Sequence, residues 1–448
     1  MSTEADTLSD KPWPIPSLWQ WAKMAEISTV IAGGTPATLE SANFDGGTIP
    51  WITPADLSGF SEKTILRGAR SITQRGLDNS GAQLIPMGSV LFSSRAPIGY
   101  VAVAGNQLTT NQGFKSFALG QAVTSDYVYY YLQRAKEIAL KMASGTTFLE
   151  LSKKRAESLP IPVPPLPEQR RIVEAIEANF VRLDAGVKAL ERVRMNLTRY
   201  RASVLASAFG APHPSDWVTS TIGDVTVPTV SQDGPHGVSS FAYVDISSID
   251  NRIKRISEPK WIPVEERPSR ARQRLNPGDV VVSMTRPNLN AVAMVPDGLS
   301  GAIGSTGFDV LRTRCIDARW LFLFVQTPAF IHAMTARVQG ALYPAVRPRD
   351  IRSYPIPVAP LDQQHRIVAG IESRLSLANE VAVSTEHGLK RCLGIRNFVL
   401  KQAFEGHLVP QDPTDEPANV LLERIKKERS SASQSMTRRE ENPKGIMR

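Results

Sequence analysis

Two cysteines, Cys315 and Cys392, are all that the 448 residues contain. No disulfide framework or Cys-based zinc site can be built from them, and a reducing compartment is the expectation. Glycine is never followed by lysine, and no G-x-G tripeptide occurs. That excludes the P-loop and the dinucleotide fingerprint, the usual backbone cradles for nucleotide phosphates. Also missing are an Asn-Pro-Pro-aromatic or Asp-Pro-Pro-aromatic tetrapeptide, of the kind that holds a base for amino-methylation, and a G-x-S-x-G nucleophile elbow. The six histidines, at 213, 236, 332, 365, 387 and 407, form no i, i+4 pair, so no histidine metal site is expected. The longest apolar run, around Trp320–Val325, is too short to span a bilayer, and the polar, acidic N-terminus does not read as a signal peptide. These absences predict a cytoplasmic chain without membrane contact.

One catalytic set can be assembled, from Asp245, Glu258 and Lys260. Two carboxylates and a lysine near a strand could hold a divalent metal and an attacking water. A solvated strand edge with a turn at Glu258-Pro259-Lys260 explains them more simply, and the first half of the chain has no equivalent set.

The formal net charge is +9 and the pI is near 9.5, a balance that favours a polyanionic partner. Residues 251–290 hold nine Lys/Arg against four acids. The apolar fraction of 42% is that of a globular chain rather than a disordered one.

The chain also repeats itself. Residues 162–177 read PVPPLPEQRRIVEAIE and residues 357–372 read PVAPLDQQHRIVAGIE, with ten of sixteen positions identical at an offset of 195. The same offset pairs Val204-Leu205 with Val399-Leu400 and Ala208-Phe209 with Ala403-Phe404. Such a repeat predicts two copies of one structural unit. Around it the chain alternates. Residues 13–165 and 211–360 are mixed, with short β-like runs between Gly and Pro punctuation. Residues 166–210 and 361–409 read as long helices, and 410–448 as a tail with a small helix near 418–428 and a disordered end. Within the mixed blocks, Ser94-Arg95-Ala-Pro answers Thr285-Arg286-Pro, and Asn111-Gln-Gly113-Phe114 answers Ser305-Thr-Gly307-Phe308.

The helical blocks carry a heptad seam at Ile176, Phe180, Leu183, Val187, Leu190, Arg194 and Leu197. Adding 195 gives Ile371, Leu375, Ala378, Ala382, Thr385, Leu389 and Cys392. Large residues in one list face small ones in the other, which predicts an antiparallel pair of about 60 Å. Pro167 suits a first helical position and Asp362 an N-cap. The fold class expected is α+β: two mixed α/β domains held apart by a coiled-coil spacer, related by a pseudo-twofold repeat.

These features together resemble the specificity subunit of Type I restriction–modification systems, over about residues 13–409. The most specific element is Pro164-Pro165-Leu166-Pro167-Glu168-Gln169 with Ile172, and its second copy Ala359-Pro360-Leu361-Asp362-Gln363-Gln364 with Ile367. Gly33-Gly34-Thr35-Pro36, Ile49-Pro50-Trp51-Ile52 and Ile85-Pro-Met-Gly88 look like parts of the family's target-recognition domain. The second domain departs from that pattern at 228–240, where no Gly-Gly-Thr-Pro occurs.

The resemblance implies a non-catalytic chain that reads a bipartite, asymmetric double-stranded DNA target, one half per domain, with the helices as a ruler. It implies methylation subunits, two of them, that use S-adenosylmethionine on adenine, and restriction subunits that use ATP and Mg²⁺, none of these cofactors being bound by this chain. Sequence readout needs donors aimed at base edges, while phosphate contacts supply affinity. The candidates are Arg95, Asn111, Gln112 and Lys115 in the first domain and Arg286, Asn288, Tyr343, Arg347 and Arg349 in the second. The junctions at Pro165, Leu166 and Gln169 and at Pro360, Leu361 and Gln364 read equally as rigid stops or as docking sites. Ile176, Phe180, Leu183, Ile371 and Leu375 form the spacer seam. The competing readings are a metal-dependent DNA nuclease and a protein–protein scaffold.

Overall fold

The computed structural model describes residues 11–145, 149–210, 212–338 and 344–427. The chain divides into two compact units: residues up to Val187 together with those from Lys390 onward, and Lys188–Leu389. Each unit contains one mixed domain (head 1 or head 2) and a stretch of both long helices.

Head 1 opens and closes with an antiparallel strand pair, Gln20–Lys23 on Pro160–Val163, registered Gln20 to Val163 and Lys23 to Pro160. Between them lie a five-stranded sheet, in the order Ser28–Ala32, Lys115–Leu119, Val90–Ser94, Ile98–Ala104 and Thr64–Ile65, and a three-stranded sheet. The helix Ser125–Arg134, capped by the Thr124 side chain, turns Tyr127 and Tyr131 into the core. Both phenols reach back to the closing strand: Tyr127 donates to the Pro162 carbonyl at 2.7 Å and Tyr131 to that of Pro160. Burying a tyrosine requires such a partner for its hydroxyl. Ile176, Phe180, Leu400 and Phe404 from the long helices join the same core.

Head 2 is built alike. Val218–Thr221 pairs with Pro355–Val358, registered Val218 to Val358 and Thr221 to Pro355. The closing strands of the two heads are thus 195 residues apart, residue for residue. Val292–Met294, Val280–Ser283 and Phe308–Leu311 form a three-stranded sheet. Trp320, on the helix Ala318–Phe324, donates its indole N–H to Pro357 at 3.0 Å, where Tyr127 meets Pro162 in head 1.

The long helices are Leu166–Phe209 and Leu361–Phe404, 44 residues each, or about 66 Å at 1.5 Å per residue. Their starts are those of the two helical blocks, but the terminal residues take other roles than the sequence suggests. Pro167 is the second helical residue rather than the first, and Asp362 sits inside the first turn, where its carboxylate pairs with Arg366 at 2.9 Å instead of capping. The second helix stops at Phe404 rather than 409, because Gly406 takes a left-handed φ of +78°. In unit 2 the segments run antiparallel, with Leu190 against Gly388, Arg194 beside Glu386 and Arg201 on Asn379. In unit 1, Asp184 meets Arg396 at 2.9 Å. The seam residues Ile176, Phe180 and Ile371 are buried, and Leu183 and Leu375 are half-buried against the cores of their units.

A buried glutamine joins head to helix in both units. Gln169 donates to the Ala122 and Pro164 carbonyls at 2.8 and 3.1 Å and accepts from the Thr124 amide at 3.0 Å. Gln364 donates to Ala359 at 2.7 Å and accepts from the Asp317 amide at 2.9 Å. Thr124 and Asp317 each cap the first core helix of their head. These two junction residues are therefore internal joints, and as docking surface they are corrected. Pro165 is buried, Leu166 half-buried, and Pro360 and Leu361 exposed.

The tail accounts for that difference. Residues 418–427 form a helix whose Ala418, Leu421 and Ile425 enter the core of unit 1. Asp415 binds Arg171 at 2.6 Å and Gln411 binds Glu168 at 2.6 Å. The disordered end expected for the tail lies at 428–448, outside the described residues.

Replacing Gln364 with leucine strands the Asp317 amide and the Ala359 carbonyl. The expected cost is about 2 kcal/mol or more, read as a lowered urea midpoint. A midpoint within error of the parent would show that the joint is not a stabilising contact.

Candidate nucleic-acid interface

In each head three segments meet at one end of the central strand. In head 1 the Ser94 amide donates to Gly113 at 2.7 Å, and Leu151 donates to Ser94 at 2.9 Å. In head 2 Met284 donates to Gly307 at 3.0 Å, and Val346 donates to Met284 at 2.9 Å. The turn between strands is closed the same way by different chemistry. Asn111 Oδ1 accepts from the Gly113 amide at 2.9 Å, and Ser305 Oγ from the Gly307 amide at 3.2 Å. The residue before the loop proline is left-handed in both, Ala96 at φ 47° and Arg286 at φ 46°, a conformation that costs an L-residue about 1–2 kcal/mol.

This geometry shifts the pairing read from sequence. Arg95 bridges Glu150 as Thr285 bridges Ala345, so Arg286 stands where Ala96 does, and the two arginines are not equivalents. Arg95 is half-buried with its guanidinium 3.6 Å from Glu150. Lys115 is buried. Its ammonium reaches Ser94 Oγ at 3.3 Å, the Gln112 carbonyl at 3.5 Å and Glu150 at 3.4 Å. It therefore braces the loop from within, and Asn111, its oxygen engaged in the turn, shapes the loop in the same way. Gln112 is exposed and touches Thr35.

Head 2 gathers more exposed donors. Arg286 and Asn288 are exposed at the 3₁₀ turn Pro287–Leu289, and the Arg286 amide donates to Pro344 at 2.9 Å. That bond brings the segment of Arg347 and Arg349 alongside. Both are exposed at the start of the helix Pro348–Arg352, where Asp350 accepts from the Arg347 amide at 2.9 Å. Tyr343 lies outside the described residues.

Several supports escaped the sequence reading. Asp309, two residues beyond Gly307 as Lys115 is beyond Gly113, is buried and grips Arg352 at 2.7 Å. Arg352 also donates to the Val227 carbonyl at 2.7 Å. Burial pushes the Asp309 carboxyl above its ordinary range despite the opposing arginine. The brace is thus an inward lysine in one head and an inward aspartate in the other, a reversal no repeat comparison predicts. Lys254 donates to the side-chain oxygen of Asn290 at 3.1 Å and to its carbonyl, and Asn290 Nδ2 donates to Val325 at 2.9 Å. These bonds fix the end of the Arg286–Asn288 turn. Burial, and then the charge of Arg201, bring Lys254 down to about 8.

The nuclease-like set dissolves on inspection. Asp245 caps the 3₁₀ turn Ile246–Ser248, accepting from the Ser247 amide at 2.9 Å, and its other oxygen meets Lys260 at 2.7 Å. Glu258 is exposed, and among the described residues no three His, Cys, Asp or Glu are grouped to hold a metal. No helix among them is long and apolar enough to cross a membrane.

Residues 16–189 match the Type I restriction modification DNA specificity domain. That stretch comprises head 1 and the first part of the helix Leu166–Phe209. It is 39% identical over 164 residues to the Type I restriction enzyme MjaIX specificity subunit of Methanocaldococcus jannaschii, covering 36% of this chain and 38% of that one. It is 20% identical over 351 residues to the EcoDI specificity subunit of Escherichia coli, covering 69% and 78%. A chain solved in work on complex assembly and conformational transition of the type I R-M system superposes with a TM-score of 0.69 at 18% identity, over 88% of this chain and all (100%) of that one. That likeness is one of fold, and it fits the mixed α+β, two-domain layout of this chain.

With a folded pKa of about 8 against an ordinary 10.5, Lys254 is protonated more in the unfolded chain between those values, so its linkage raises stability as pH climbs through that window. The urea stability of the parent relative to Lys254→Met is expected to increase from pH 7 to pH 10. A difference independent of pH would contradict the buried ammonium.

Proposed function

We propose that this chain is the sequence reader of a Type I restriction–modification complex. Head 1 recognises one half of a bipartite DNA target and head 2 the other, and the paired long helices set the unread gap between them. The observation that carries this reading is the pair of loops with the same backbone hydrogen bonds and unlike exposed side chains. One backbone frame offering Gln112 and Arg95 in one copy, and Arg286, Asn288, Arg347 and Arg349 in the other, suits two unlike half-sites. Glutamine and asparagine suit adenine edges, arginine suits guanine, and any of the arginines can position the frame on phosphate.

The chain itself performs no bond chemistry in this proposal. It directs methylation subunits, two per complex, to adenines in its target, and restriction subunits to the same DNA. S-adenosylmethionine, ATP and Mg²⁺ belong to those partners, and the complex works in the prokaryotic cytoplasm. Pro360 and Leu361, exposed at the second junction, remain candidates for partner docking, whereas the joint glutamines do not.

Single-molecule sequencing for methyladenine, in a host carrying the methylation subunit with and without this gene, tests the reading. A split motif of two unlike halves with a fixed gap should appear only with the gene. Unchanged methylation, with both proteins produced, would sink it. In the same assay, Arg286→Ala with Asn288→Ala is expected to relax one half of the motif by about 1–3 kcal/mol per lost base contact and leave the other half intact.

A further inference from the structure

The repeat supplies an internal control for charge. Arg396 and Arg201 occupy equivalent positions on the two long helices, 195 residues apart. So do their partners, Asp184 and Asn379. In unit 1, Arg396 is neutralised by Asp184 at 2.9 Å and its guanidinium lies 3.9 Å from the centre of the Phe180 ring. In unit 2, among the described residues, Arg201 meets amide oxygens, Asn379 Oδ1 at 2.6 Å and the Arg252 carbonyl at 3.3 Å, and its Nε is buried without a hydrogen bond.

A second cation differs in the same sense. After the capped turn Pro54–Leu57 of head 1, Lys63 is held between Asp126 at 2.8 Å and Glu177 at 2.9 Å. After the capped turn Ile246–Ser248 of head 2, Lys254 meets Asn290 oxygens and lies against the Arg201 charge. Asp250, the nearby carboxylate, accepts from the Arg252 and Ile253 amides at 2.8 and 3.3 Å and opposes, without cancelling, the fall of the Lys254 ammonium. Arg252 and Arg255 are exposed on the same hairpin. Unit 1 thus pairs both of these cations with carboxylates, whereas in unit 2 Arg201 and Lys254 meet neutral oxygens, beside a hairpin that carries the exposed Arg252. Packing like charges together is costly unless an anion completes the set.

We propose that Arg201, Arg252 and Lys254 form a phosphate-binding site on unit 2, absent from unit 1, that takes a phosphodiester of the DNA backbone. Arg252 contacts the phosphate, and the two inner cations supply the field behind it. The site rests on the DNA-reading function proposed above and adds a contact outside both reading loops. It makes the DNA affinity of the complex depend on unit 2 more than on unit 1.

The test uses the full chain with its methylation subunit and a duplex carrying the motif found by methyladenine sequencing. Asn379→Asp installs the carboxylate that unit 1 already accommodates, so the variant is expected to fold. Its affinity should fall, and the slope of log K against log salt should shrink by about one; Arg252→Ala should give the same loss. Asp184→Asn, the mirror change in unit 1, should not reduce the slope, and the methylated motif should be unchanged in all three. Parent-like slopes in both Asn379→Asp and Arg252→Ala would overturn the site while leaving the sequence-reading function standing. Loss of the split motif from the parent itself would remove the function instead. Stabilisation by inorganic phosphate at fixed ionic strength, lost in both variants whose DNA slope stays parental, would assign the cluster to a free anion and overturn the DNA assignment.

Discussion

A single buried glutamine at the start of each long helix ties three things together: the helix, the closing strand of the head and the cap of its first core helix. Gln169 and Gln364 do this with the same carbonyl partners, Pro164 and Ala359, 195 residues apart. The glutamine amide has two donors and an acceptor, which is what a three-way joint requires. Beside it the closing strands keep the same register in both heads, and the segments 149–151 and 344–346 that precede them bond to the ends of the central strands. The candidate interface of each head is thereby fixed from its helix.

From that joint outward, backbone hydrogen bonds are kept while side chains change. Asparagine closes one turn and serine the other, an inward lysine braces one loop and an inward aspartate the other, and a tyrosine hydroxyl and a tryptophan indole reach the same carbonyl. Each swap keeps a donor facing an acceptor, so the buried polar groups stay satisfied. The exposed residues carry no such obligation, and they differ freely between the heads.

The joints, the long helices and their antiparallel pairing were legible in the sequence, because a heptad seam and a repeated Pro-Leu-x-x-Gln segment leave a strong periodic signal. The second helix stops at Phe404 rather than 409 because of the left-handed Gly406, and Asp362 pairs with Arg366 rather than capping the helix amides. The loops of the candidate interface were legible only in part. Repeat alignment set Arg95 against Arg286, but hydrogen bonding follows backbone geometry, and the left-handed residue fixes the register one position away. Lys115 looked like a DNA contact because nothing in its neighbours announces Glu150, 35 residues on. The tail helix was expected near 418–428 without a packing role, and the three-and-four spacing of Ala418, Leu421 and Ile425 was the signal that it packs.

The central claim is that each head reads one half-site independently, carried by its joint. The most direct measurement is methyladenine sequencing with a chain in which residues 218–358 are replaced by 20–163, joined through closing strands of the same register. The account predicts a new motif in which the half read by head 1 occurs twice, inverted across a fixed gap. Retention of the original asymmetric motif, or methylation at a single unpaired half, would contradict it.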